Sequence, residues 1–205
     1  MIGILGGTFD PVHFGHLRPA LEVMQIIGLR QVRFVPNSIP PHREPPWLNT
    51  ENRLELLNTA IADQSGFVLD ERELRRQGRS YMVDTLASLQ QEFASESICL
   101  ILGMDAFLGL RQWYQWQRIP QFCHLIVTTR PGFEFNSEDI DDLPVTLATS
   151  AYELDEVTVG RILLQSVTQL DISASAIRDM LARGQSVRYL LPDPVNDKLM
   201  KMVKN

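Results

Sequence analysis

The sequence predicts an α/β fold built on a doubly wound parallel sheet, with a small helical segment at its C-terminal end. Short apolar runs alternate with helical patterns in the N-terminal half, as βαβ units require. The first apolar run, "MIGILGG", closes on two glycines directly before a helical pattern. At 205 residues with 44% hydrophobic content, the chain can bury one sizeable core, so a single domain over 1–205 is expected, its helical part starting near 173.

Taken in order, "MIGILGG" is a strand, and "HLRPALEVMQIIG" spaces its apolar residues for a helix closed by Gly28. "QVRFVP" is a second strand, and "ENRLELLNTAIAD" a second helix with Thr50 as its candidate N-cap. "FVLDERELRR" begins as a strand, "YMVDTLASLQQEFA" is a helix, and "SICLILG" and "CHLIVTTRPG" are further strands. "GRILLQ" is a candidate last strand, before two helices split by Gly184 and "LPDP". Two segments break the alternation. "PNSIPPHREPPW" (36–47) holds five prolines and reads as a stiffened loop, and "FEFNSEDIDDLPV" reads as a solvated acidic connection. The expected sheet is Rossmann-like, with its ligand crevice at the carboxyl ends of the strands.

Composition narrows the function classes. A net charge of −6 argues against a nucleic-acid partner, which needs a basic surface. No apolar run is long enough to cross a bilayer and no leader is visible, so a cytoplasmic location without membrane association is expected. Cys99 and Cys123 lie in apolar runs and read as buried thiols. The three lysines fall in the last eight residues, which removes a P-loop lysine and leaves phosphate binding to arginine, histidine, backbone amides and a metal brought by the ligand.

The first junction is the candidate site. In "GGTFDPVHFGH" (6–16), a glycine turn lets backbone approach a phosphate, and a helix starting near His13 or Gly15 points free N–H groups and a positive dipole end at it. Imidazoles at His13 and His16 can add N–H donors to a polyphosphate.

That stretch resembles the signature of the nucleotidylyltransferase superfamily with the (T/H)xGH motif, whose members transfer a nucleoside monophosphate from an NTP and release pyrophosphate. A second superfamily signature, roughly ISSTxIR, is matched by "ISASAIR" (172–178), with Ala174 where many relatives have serine. "PPHRE", "GRSYMVDTL", "GMDAF", "WYQW", "TTRPG" and "GQSVRYLLPDPV" are similar to the bacterial nicotinate mononucleotide adenylyltransferase family over essentially the whole length. The resemblance implies AMP transfer from Mg-ATP to nicotinate mononucleotide, with Mg2+ arriving on ATP and no protein-held metal. It implies His13, His16 and Arg178 as catalytic, and Gly6, Gly7, Thr8, Phe9, His42, Arg43, Asp105, Ser173, Ser175 and Ile177 around ATP. Asp105 would take the ribose hydroxyls, although a helix-start carboxylate fits that local sequence equally. On the acceptor side it implies stacking on Trp113, a carboxylate held by Thr85 and the Tyr114 amide, and Arg130 on the mononucleotide phosphate. Trp113 and Trp116 also suit a core at helical spacing. His124 reads as structural.

Neighbouring readings differ in kind. Class I aminoacyl-tRNA synthetases share the phosphate motif, yet they are expected to carry a lysine-rich loop and a tRNA-binding extension. Alternative acceptors are nicotinamide mononucleotide or a phosphopantetheine-type molecule, and a non-catalytic nucleotide sensor is the alternative of another class. A homo-oligomer is compatible with all of them.

Overall fold

The computed structural model describes residues 1–37, 45–76, 78–129, 138, 140–168 and 170–203. Seven strands form one sheet in the order β3-β2-β1-β4-β5-β7-β6, and every pairing is parallel. They are β1 (Ile2–Gly7), β2 (Gln31–Pro36), β3 (Phe67–Leu69), β4 (Ile98–Gly103), β5 (His124–Thr129), β6 (Thr146–Ala148) and β7 (Arg161–Ser166). The helices are α1 (Phe14–Ile27), α2 (Thr50–Ile61), α3 (Arg72–Arg75), α4 (Met82–Glu92), α5 (Met104–Leu108), α6 (Tyr152–Asp155), α7 (Ala174–Ala182) and α8 (Asp193–Val203).

Strand order reverses at β1, which sits between β2 and β4. A parallel sheet opens a crevice at such a switch point, outside the carboxyl ends of the strands. Side chains alternate across the sheet to fill two cores. Cys99, Ile101 and Ile126 pack with Val23 of α1, Leu57 of α2, Ile177 of α7 and Leu199 of α8. Ile98, Leu100 and Leu102 pack on the opposite face with Val83, Leu86 and Leu89 of α4.

Local signals set the helix ends. Gly28 adopts φ +73 and its N–H closes α1 on the Met24 carbonyl. The cap of α2 is Asn49, whose side chain accepts the Asn52 N–H at 2.8 Å, so Thr50 is the first helical residue rather than the expected cap. Short elements escape periodicity: edge strand β6 and helices α3, α5 and α6 span three to five residues each. The Cys99 and Cys123 thiols are free and buried, and burial pushes Cys99 up to about 12 and Cys123 upward as well. His124 is buried with Nδ1 accepting the Arg161 N–H and Nε2 against the Val157 carbonyl, both at 3.1 Å.

Candidate active site

A cleft of about 1210 Å³ opens where β1 and β4 end, and both sequence motifs reach its wall. From β1 the chain enters it through Gly6 and Gly7. A Cβ at Gly6 would sit 2.5 Å from Met82 Cε, so a larger residue there would have to displace the Met82 side-chain tip at the start of α4. Phe9 takes the left-handed φ of +50, rare for an aromatic residue, and its buried ring meets His16 edge-on at 5.1 Å.

His13 caps α1 and His16 occupies its third position. The His13 backbone N–H donates to His16 Nδ1 at 3.3 Å, which makes Nδ1 the acceptor and assigns the His16 ring proton to Nε2. The two rings lie 3.8 Å apart and both border the cleft. Burial lowers His13 from 6.5 to about 4; burial, reinforced by His13, lowers His16 to about 3. Both imidazoles are therefore neutral N–H donors at pH 7.

The second motif arrives from the far end of the chain. Gly15 makes the junction, since a Cβ there would come within 2.9 Å of the His13 ring and 3.0 Å of the Ile172 carbonyl. Ser173 caps α7 by accepting the Ala176 N–H at 3.1 Å. Arg178 is held from two sides: Nη1 donates to the Asp10 carbonyl at 2.7 Å, and Nη2 donates to Ser175 Oγ at 3.2 Å. Its guanidinium also lies 3.6 Å from the Asp10 carboxylate.

Thus Gly6, Gly7, Thr8, Phe9, His13, His16, Ser173, Ser175 and Arg178 share one cleft, together with Asp105 and Trp113. Asp105 is exposed in the first turn of α5. Trp113 is half-buried and, like Trp116, packs against the second core. Tyr114 is half-exposed and stacks on Tyr81 at 4.3 Å. Tyr114 does not line the cleft, and two further predicted residues lie in the interior. Ile177 is fully buried in the first core. Thr85 is also fully buried, its hydroxyl donating to Glu73 Oε1 at 2.7 Å and accepting from Arg76 Nη1 at 3.3 Å. His42, Arg43 and Arg130 lie outside the described residues.

The structure adds residues that the sequence reading passed over. Asp10 accepts the Trp47 and Leu48 amides at 2.8 and 2.9 Å, and Asn37 Nδ2 donates to Thr8 Oγ1 at 3.3 Å. Arg53, 1% exposed, reaches the same turn from α2. Asp10 had a local signal, a carboxylate between the glycine turn and Pro11; Arg53 looked like any helix-surface arginine.

Among the described residues no three His, Cys, Asp or Glu side chains converge as metal ligands. None of the described helices is long and apolar enough to cross a membrane.

Glycines, a helix start, histidines and an arginine gathered in one cleft at the switch point of a parallel sheet make a site of the nucleotidyltransferase kind. In agreement, residues 4–180 match the cytidylyltransferase-like family model. The chain is 48% identical over 208 residues to a "Probable nicotinate-nucleotide adenylyltransferase" of Halorhodospira halophila, covering 98% of this chain and 93% of the relative. It is also 48% identical over 198 residues to a protein of the same name from Methylococcus capsulatus, covering 95% and 94%. In fold it matches Plasmodium falciparum nicotinic acid mononucleotide adenylyltransferase complexed with NaAD, with a TM-score of 0.77 at 15% identity over 98% of this chain and 95% of that one. The chain belongs to the nicotinate-nucleotide adenylyltransferase family, within the cytidylyltransferase-like group.

Proposed function

We propose that the protein transfers AMP from Mg-ATP to nicotinate mononucleotide, forming deamido-NAD and pyrophosphate in NAD biosynthesis. The observation that carries this reading is the meeting of the two motifs at Gly15, which puts His13, His16, Ser175 and Arg178 on one cleft wall. A phosphate oxygen of the mononucleotide attacks the α-phosphorus of ATP, a new P–O bond forms, and the α–β bridge breaks to release pyrophosphate. The nucleophile is already an anion, so no general base is needed. Rate comes from aligning two anions and neutralising charge as the α-phosphorus becomes pentacoordinate.

Thr8, the glycine-turn amides, His16 Nε2–H and Arg178 are the donors proposed for the triphosphate, with Ser173 and Ser175 at the start of α7 beside them. Mg2+ arriving on ATP would be held by the phosphates themselves and would supply neutralisation of charge on the leaving pyrophosphate. An arriving triphosphate opposes the depression of both histidine pKa values, and the neutral rings serve it as N–H donors. Trp113 is proposed to stack on the pyridine ring, with the Tyr114 amide at its carboxylate and Asp105 at a ribose. Ile177 and Thr85 then act through backbone or through packing, since neither side chain lines the cleft. A cytoplasmic location fits these substrates.

Purified protein with Mg-ATP tests the proposal by pyrophosphate release, comparing nicotinate with nicotinamide mononucleotide and confirming the dinucleotide by chromatography. Strong preference for the acid is expected. Equal use of both keeps the reaction and overturns the acid selectivity; release with neither overturns the transfer.

A further inference from the structure

We infer that Arg53, a residue of α2 with no place in the cleft wall, is a positioning residue for adenylyl transfer. This inference rests on the transfer reaction proposed above. Arg53 is 1% exposed, yet it carries a guanidinium, whose burial is costly unless it is bonded and paired, to the underside of the phosphate turn. There Nη1 donates to the Thr8 carbonyl at 2.8 Å and to the Asn37 carbonyl at 3.0 Å. Those two carbonyls belong to different strands' ends: Thr8 follows β1, and Asn37 follows β2.

The surrounding bonds show what the guanidinium organises. Asn37 N–H donates to the Gly7 carbonyl at 3.0 Å, and its Nδ2 to Thr8 Oγ1 at 3.3 Å, closing a ring of contacts around Arg53. Burial lowers the Arg53 pKa and the Asp10 carboxylate opposes that shift, so the buried charge has its counter-charge in the same turn. Asp10 in turn faces Arg178 and holds the Trp47 and Leu48 amides.

Phe9 lies between the two gripped carbonyls. Arg53 holds the carbonyl before it at Thr8, and Arg178 holds the carbonyl after it at Asp10. A non-glycine residue at φ +50 persists only where its surroundings over-determine it. Two arginines from distant helices supply that determination. Relaxing Phe9 would swing the Thr8 hydroxyl and the adjoining amides away from the line of the phosphates, and in-line transfer is sensitive to displacements of that size.

The test uses the full chain with Arg53→Met and Arg53→Lys, reading kcat per folded molecule, KM for ATP, KM for the mononucleotide, and Mg-ATP affinity by calorimetry. Arg53→Met is expected to lower kcat at least tenfold and weaken Mg-ATP, with the mononucleotide KM within about twofold. Arg53→Lys keeps the charge beside Asp10 and one carbonyl bond, and is expected to recover part of the loss. Should Arg53→Met not fold, Arg53→Lys decides alone: a drop in kcat per folded molecule with weaker Mg-ATP supports positioning. Unchanged kcat and Mg-ATP affinity per folded molecule in whichever variants fold overturns it, because a purely structural arginine changes only the folded fraction. Calorimetry needs no acceptor, so a wild-type chain inactive with nicotinate mononucleotide sinks the proposed reaction while the Mg-ATP affinities still judge the turn.

Discussion

The side proposed for phosphate and the side proposed for the acceptor are built in opposite ways. On the phosphate side, two short motifs supply a cap, a helix start and an arginine, fixed by bonds within a few residues, by the tight approach at Gly15 and by Arg178 donating across the two motifs to the Asp10 carbonyl. On the acceptor side, Trp113 and Tyr114 come from an irregular stretch between β4 and β5, where they double as packing residues. Phosphate recognition needs backbone N–H groups in one geometry, which a glycine turn and a helix start encode locally. A flat pyridine ring needs apolar surface, which any part of the fold can lend.

The largest effect should come from the phosphate side. Truncating His16 to alanine would remove packing on Phe9 and His13 along with the donor, so His16→Gln is the cleaner change. Glutamine at the third helical position can still accept the His13 N–H, preserving the capping interaction. Turnover is expected to fall about 10²–10³-fold, the scale for losing one oriented transition-state donor, with Tm nearly unchanged. Turnover within threefold of wild type would remove His16 from the phosphate-binding role.

Trp113→Ala probes the other side. Loss of a stacking surface should raise KM for the mononucleotide about tenfold, corresponding to roughly 1.4 kcal/mol, with a smaller change for ATP. Equal rises in both KM values would make Trp113 a core residue that merely borders the cleft. Since it also packs against the second core, its Tm is measured alongside.

Thr85 sharpens the same contrast. Its hydroxyl lies between Glu73 and Arg76, and burial raises the Glu73 pKa, so Thr85→Val leaves a buried carboxyl without its donor. A stability loss of about 1–3 kcal/mol with unchanged mononucleotide KM is expected in denaturant titration. A tenfold rise in that KM at unchanged stability would instead place the hydroxyl on the substrate.

The same division explains what could be read in advance. The alternation of strands and helices, the glycine turn and "ISASAIR" are contiguous patterns, and they located the sheet, the switch point and the cleft that both motifs border. Thr85 misled because a threonine in the first turns of a helix looks alike whether it faces a ligand or a buried glutamate. Arg53 was invisible for a related reason: its α2 neighbours follow amphipathic spacing, and only the approach of Thr8 and Asn37 reveals that its head is buried. The edge strand β6 has three residues, too few to show a period of two.

The smallest effect concerns pH and again separates the two sides, because two of the three depressed imidazoles among the described residues, His13 and His16, border the cleft, the third being the structural His124. In the fold His13 and His16 ionise near 4 and 3, against 6.5 in the unfolded chain. Between those values the unfolded chain binds protons that the fold does not, so stability is full above about pH 6.5 and declines as pH falls towards 4. Each histidine contributes at most about 1.4 kcal/mol per pH unit, and the partial exposure of His16 reduces its share. Lowered carboxylates such as Glu22 and Asp70 lose their contributions below the usual carboxylate range, whereas buried Glu73, raised above it, protonates more readily in the fold and opposes the histidine slope. Thermal melts between about pH 5 and 6.5 should therefore fall less steeply for His16→Gln than for wild type. Mg-ATP should take up protons on binding there, because the triphosphate stabilises the imidazolium forms, whereas a Trp113→Ala chain should show the same uptake as wild type. Parallel melting curves for wild type and His16→Gln, with no proton uptake, would mean that the His16 imidazole is solvated and its proton equilibrium ordinary.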